Sequence, residues 1–120
     1  MSSDGRSTGG VDQISLLDGW LRELYEDATE AWGEDAQITL AQEELAELSV
    51  ELARDFRGRN DREDVIDEIA DVLIAANQLA LIYGLDETEE RIEYKLQRLG
   101  ERIQRSQDTD TDRGGESDAE

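Results

Sequence analysis

Apolar residues recur along the chain at helical spacing, and four stretches carry the pattern. From Val11 onward, Ile14, Leu17, Leu21, Leu24 and Tyr25 fall on one face with Trp20 alongside, and Gly33 marks a stop, which predicts a first helix packed across its neighbours. A short turn over 33–36 leads into a second helix, with Leu45, Leu48, Leu52 and Phe56 as its apolar stripe. The polar loop 57–61 supplies a helix-ending glycine, Gly58, and an N-cap for the next helix at Asn60 or Asp61. The third helix is apolar nearly all round. Val65, Ile69, Val72, Ala76 and Leu79 make one stripe, and Ile66, Ala70, Leu73, Leu81 and Ile82 cover most of what remains, which predicts burial on several sides. Gly84 closes that helix, Asp86 opens a fourth, and Ile92, Leu96, Leu99 and Ile103 are its expected buried stripe.

No proline interrupts any of these stretches and β-branched residues do not cluster, so the expected fold is an all-α bundle of about four helices. Residues 1–10 are Gly/Ser-rich, and 106–120 form an acidic tail without an apolar anchor. Both are expected to be disordered, leaving 11–105 as one folded domain. A chain of 120 residues builds a modest core that self-association would help, and the all-round apolar third helix predicts a homodimer or homotetramer.

Acidic residues interrupt the two central stripes. Glu44 and Glu47 lie three apart in the second helix, and Glu68 and Asp71 three apart in the third, so each pair shares a helix face. Spacing alone is weak, because 32 acids in 120 residues give about eight such pairs by chance. Setting distinguishes these two. Glu44 borders the apolar stripe, and Glu68 and Asp71 fill the narrow polar gap of a helix otherwise covered with apolar side chains. Antiparallel packing of the two helices would bring all four carboxylates to one seam, where acids are costly unless paired or metal-bound. Oxygen-only ligands suit magnesium or manganese.

The run EELAEL at 43–48, followed after a loop by DEIADVLI at 67–74, resembles the EExxE…ExxD signature of the MazG-like all-α nucleoside triphosphate pyrophosphohydrolases. Trp32-Gly33 and Gln37 upstream, Gly84-Leu85-Asp86 after the third helix, and KLQRLGERI at 95–103 extend the likeness over about 32–103. The resemblance implies an enzyme that hydrolyses a nucleoside triphosphate to a monophosphate and pyrophosphate. It implies Glu44, Glu47, Glu68 and Asp71 as magnesium ligands, Glu47 and Glu44 as the catalytic carboxylates, and Lys95 and Arg102 near the phosphates. Gln37, two turns before Glu44 on the same side, is a candidate contact to base or sugar. One position departs from the pattern: Leu99 stands where many members carry an asparagine that contacts substrate. Phosphoribosyl-ATP pyrophosphohydrolase shares the same logic of acids. A non-catalytic nucleotide-binding or helical interaction protein is the reading without chemistry.

Charge narrows the partners. Net charge is -20, which repels nucleic acid and anionic membranes and requires a nucleotide to arrive with cations. Lys95 is the single lysine, the other eleven of 12 basic residues being arginine. Such an acidic, lysine-poor surface matches proteins that work in molar salt, as in halophilic archaea and their viruses. Arg54, Arg57, Arg59 and Arg62 gather around the 57–61 loop, where they complement helix-end dipoles and nearby acids or receive phosphates. With no cysteine and no histidine, thiolate metal sites and the common nucleophile–base pairs are excluded. The polar start and the lack of a long apolar run predict a cytoplasmic protein.

Overall fold

The structure, a computed structural model, describes residues 15–58 and 61–112. Among the described residues every regular element is an α-helix: α1 (Gly19–Trp32), α2 (Glu34–Phe56), α3 (Arg62–Tyr83) and α4 (Leu85–Asp112). The chain divides into two compact units, Ser15–Leu85 and the segment from Asp86 onward. None of the helices is long and apolar enough to cross a membrane.

In the first unit α2 and α3 make the principal packing and α1 leans on both. A single residue, Gly33, joins α1 to α2. Its N–H donates to the Thr29 carbonyl at 2.7 Å, and its own carbonyl accepts from Gln37 N–H at 3.2 Å, so it ends one helix and begins the next. At φ 93 and ψ 156 it occupies a region essentially closed to residues with a Cβ. The turn expected over 33–36 is therefore shorter than the sequence suggested, because one glycine reverses the chain without help from its neighbours. Between α2 and α3, Gly58 takes φ 72 and donates to the Asp55 carbonyl at 2.8 Å. Asp61 is the N-cap of α3, its carbonyl accepting from Asp64 N–H at 3.1 Å, while Asn60 lies outside the described residues. Gly84 ends α3 with its N–H on the Ala80 carbonyl, as expected.

Three expectations change. The first helix begins at Gly19, well after Val11; residues 15–18 are non-helical, and Val11 and Ile14 lie outside the described residues. Leu17 is buried all the same, packing with Tyr25, Ala80 and Leu85. The fourth helix runs on to Asp112, past the boundary drawn at 105; its polar last turns satisfy the backbone without an apolar anchor, and Gln104 reaches Asp108 at 3.5 Å.

The third change concerns the core. The large residues of the expected stripes are open to solvent: Leu45, Leu52, Ile69, Leu96, Leu99 and Ile103 are each at least 40% exposed, and Phe56 is 92% exposed. The most buried positions of α2 and α3 are small or amide-bearing: Gln37, Ala41, Ala75, Gln78 and Ala80. Small side chains let two helix backbones approach closely, and close approach leaves the bulky residues at the flanks of the seam. Periodicity identified which residues are apolar; it could not say that the tightest contact would fall on alanines.

Candidate metal centre

In two antiparallel helices, facing positions have numbers that sum to a nearly constant value. Glu44 of α2 meets Glu68 and Asp71 of α3, and the buried positions of the two helices, Gln37 and Ala41 on α2 and Ala75 and Gln78 on α3, are compatible with the same antiparallel register. Glu44 follows Ala41 by one turn on the buried side of α2, and this register holds its carboxylate against α3.

Carboxylate oxygens of Glu44, Glu68 and Asp71 all lie within 4.8 Å of one another. Glu44 and Glu68 are half-buried, and Asp71 is exposed. Each of the first two keeps one oxygen, Oε1, sealed from solvent and accepting no hydrogen bond. Among the described residues only one other buried side-chain atom is in that condition, Gln37 Oε1, on the same helix two turns before Glu44. Buried acceptors are nearly always paired, so three orphans along one seam mark a place where the protein leaves donors out.

The electrostatics agree. Glu44 has its carboxyl held above the ordinary range by burial first and then by Asp71, Glu47 and Glu43. For Glu68 burial again leads, followed by Glu47, Asp71, Glu44 and Glu51. Each of these neighbouring carboxylates raises the two values, and among the described residues no cation offsets them.

Glu47 stands next to the trio. It is exposed, repels both Glu44 and Glu68, and lines a groove of about 310 Å³ with Ala46, Val50, Glu51, Arg54 and Glu68. Three of the four expected acids thus converge and the fourth borders them along the groove. Gln37 is buried, 4% exposed, in the same seam. Lys95 and Arg102 are exposed positions on one face of α4. Arg54, one of the arginines gathered near the 57–61 loop in the sequence, lines this groove, whereas Glu51 and the buried Gln78 were not singled out as site residues by the pattern. Counting one further turn from Glu47 would have reached Glu51, and two from Asp71, through Ala75, would have reached Gln78.

The group is of the chemical kind a hard divalent ion takes: carboxylate oxygens of three acids within 4.8 Å of one another, two of those acids with an oxygen that accepts no hydrogen bond. No protein-family model matches this chain, and no curated protein or solved structure matches it significantly.

Proposed function

We propose that this protein is a magnesium-dependent nucleoside triphosphate pyrophosphohydrolase, acting on a (d)NTP and water to give a (d)NMP and pyrophosphate. One observation carries the reading: two half-buried carboxylates, Glu44 and Glu68, each with an oxygen that accepts nothing, beside Asp71 within 4.8 Å. The EExxE…ExxD pattern supports it from the sequence side.

Glu44, Glu68 and Asp71 would hold the ion, with Glu47 completing the set from the groove side. Magnesium, or manganese in its place, supplies charge neutralisation of the triphosphate and a lowered pKa for the attacking water. Glu47, exposed and lining the groove, takes the proton that water loses as it adds to the α-phosphorus, with Glu44 supporting it. The bond between the α-phosphorus and the bridging oxygen to the β-phosphorus breaks, and pyrophosphate leaves. Contacts of Lys95 and Arg102 to phosphate oxygens are what the sequence resemblance implies. Gln37 offers its unpartnered oxygen to a donor on the nucleoside. No side-chain nucleophile is required, in keeping with a chain that has neither histidine nor cysteine.

The working unit in this proposal is a homodimer or homotetramer. Support comes from the large apolar residues left open on α3, where Ile66, Ile69, Leu73 and Ile74 are each 41% to 59% exposed. Exposure on that scale along one helix is the mark of an interaction surface.

The test is pyrophosphate release across a nucleotide panel that includes phosphoribosyl-ATP, at molar KCl, with and without magnesium. Release that needs magnesium, and disappears in Glu68→Gln and Asp71→Asn while helicity stays near wild type, is the expected result. Full activity in those variants removes the proposal. Turnover of phosphoribosyl-ATP alone selects the related enzyme, and nucleotide binding without hydrolysis selects a non-catalytic binder.

A further inference from the structure

Glu68 belongs to two places at once. Its carboxylate is part of the acidic trio, and it forms one wall of the groove whose other wall carries Arg54. Arg54 is the single cation in that lining, set among Glu47, Glu51 and Glu68.

The arginine makes one long ion pair within its own helix, with Glu51 one turn before it. Arg54 Nη1 stands 3.8 Å from Glu51 Oε2, beyond hydrogen-bond reach, and its side chain is 54% exposed. Elsewhere in the same unit Arg22 shows what a closed pair looks like, its Nε donating to Glu26 at 3.2 Å. A guanidinium carries five N–H donors in a planar fork suited to phosphate oxygens, and a loose surface contact such as that with Glu51 adds little to stability. A groove walled by three carboxylates repels an anion by itself. It accepts one when a cation lies at the Glu68 end and a guanidinium at the other.

We infer that the groove between the acidic trio and Arg54 is the seat of the substrate's terminal phosphates, with Arg54 donating to the pyrophosphate portion. This inference rests on the pyrophosphohydrolase reading and deepens it, assigning the direction in which the triphosphate lies: from the acids toward the α2 C-terminus. It also gives a function to one member of the arginine group seen in the sequence, in a chain where cations are scarce.

The experiment is isothermal titration of the full-length protein with magnesium alone, and then with inorganic pyrophosphate in the presence of magnesium, for wild type, Arg54→Gln and Arg54→Lys. The expected result has opposite signs in its two arms. Arg54→Gln weakens pyrophosphate binding roughly tenfold to a hundredfold, as loss of a charge-assisted pair does, while magnesium alone binds as tightly as before or more tightly, because a repelling charge has gone. Arg54→Lys falls between, keeping charge but losing the fork. Equal pyrophosphate affinity in wild type and Arg54→Gln, with magnesium binding intact, overturns the inference and leaves the metal centre standing. A parallel loss of magnesium affinity, pyrophosphate affinity and melting temperature also overturns it, since Arg54 would then be a structural counter-charge. Failure of magnesium to bind wild type removes the underlying reading and this one together.

Discussion

Replacing Glu68 by Gln should move stability in opposite directions depending on whether magnesium is present. In the metal-free protein the ionised carboxylate is unfavourable, because burial and then Glu47, Asp71, Glu44 and Glu51 all raise its pKa. An amide removes that charge and brings N–H donors to a seam where Glu44 Oε1 accepts nothing. The metal-free variant should therefore melt above metal-free wild type at neutral pH. Magnesium reverses the order. At a hundredfold excess over Kd, a ligand that binds only the folded state stabilises it by about 2.7 kcal/mol, or roughly 10–20 °C in a domain of this size. If losing a ligand oxygen weakens binding about a hundredfold, the same magnesium concentration only equals the variant's Kd and adds about 0.4 kcal/mol. Circular dichroism melts at 222 nm, about the standard helical wavelength, with and without magnesium, read both effects. A variant that melts below wild type without metal, or that keeps the full magnesium shift, refutes the reasoning.

The raised values for Glu44 and Glu68 set a pH dependence. Between the unfolded value of 4.5 and the higher folded values the native state binds more protons, so metal-free stability should fall as pH rises through that window and level off above it. Magnesium affinity should run the other way, dropping as pH falls and protons compete for the same oxygens; titrations at several pH values check both slopes. Ala41→Leu inserts a branched side chain at a position 2% exposed, one turn before Glu44, and should cost about 1–3 kcal/mol by urea denaturation while weakening magnesium binding as the helices part. Gly33→Ala meets no atom within 4 Å of the new Cβ, so its expected loss of about 1–3 kcal/mol comes from backbone conformation alone, and the metal affinity should be unchanged.

Helix number and the capping glycines were legible in the sequence because they rest on local chemistry. Gly33, Gly58 and Gly84 each take positive φ, the conformation for which glycine is suited, and Asp61 occupies the N-cap position of α3, through its backbone carbonyl and without a side-chain hydrogen bond. The acidic pairs were legible too, since i, i+3 spacing fixes a common face whatever the helix packs against. What local chemistry could not supply was the rotation of α2 against α3. Leu45 and Leu52 look like core by spacing, yet Ala41 and Gln37 hold the seam. A rotation of that kind is decided by which faces can approach most closely, a property of two helices together. The same rotation draws Glu44 in and leaves Glu47 at the groove, so the four acids that looked equivalent in sequence become three convergent carboxylates and one neighbour.

That division carries a consequence for how the site works. A seam of alanines brings the α2 and α3 backbones together, and acids one turn farther along are then forced near each other whether or not they attract. Glu44 and Glu68 have neither a counter-ion nor a donor for one of their oxygens, so the fold holds them in place against their own repulsion. Rigid preorganisation of this kind serves a ligand that arrives with positive charge, because the unfavourable field is already built before binding and is relieved on it. The apolar residues on the flanks of the same two helices, turned away from the alanine seam, are free to meet another copy of the chain. Self-association there would clamp α2 and α3 from outside and stiffen the seam that holds the acids, so the exposed leucines and isoleucines and the crowded carboxylates are two results of one helix rotation.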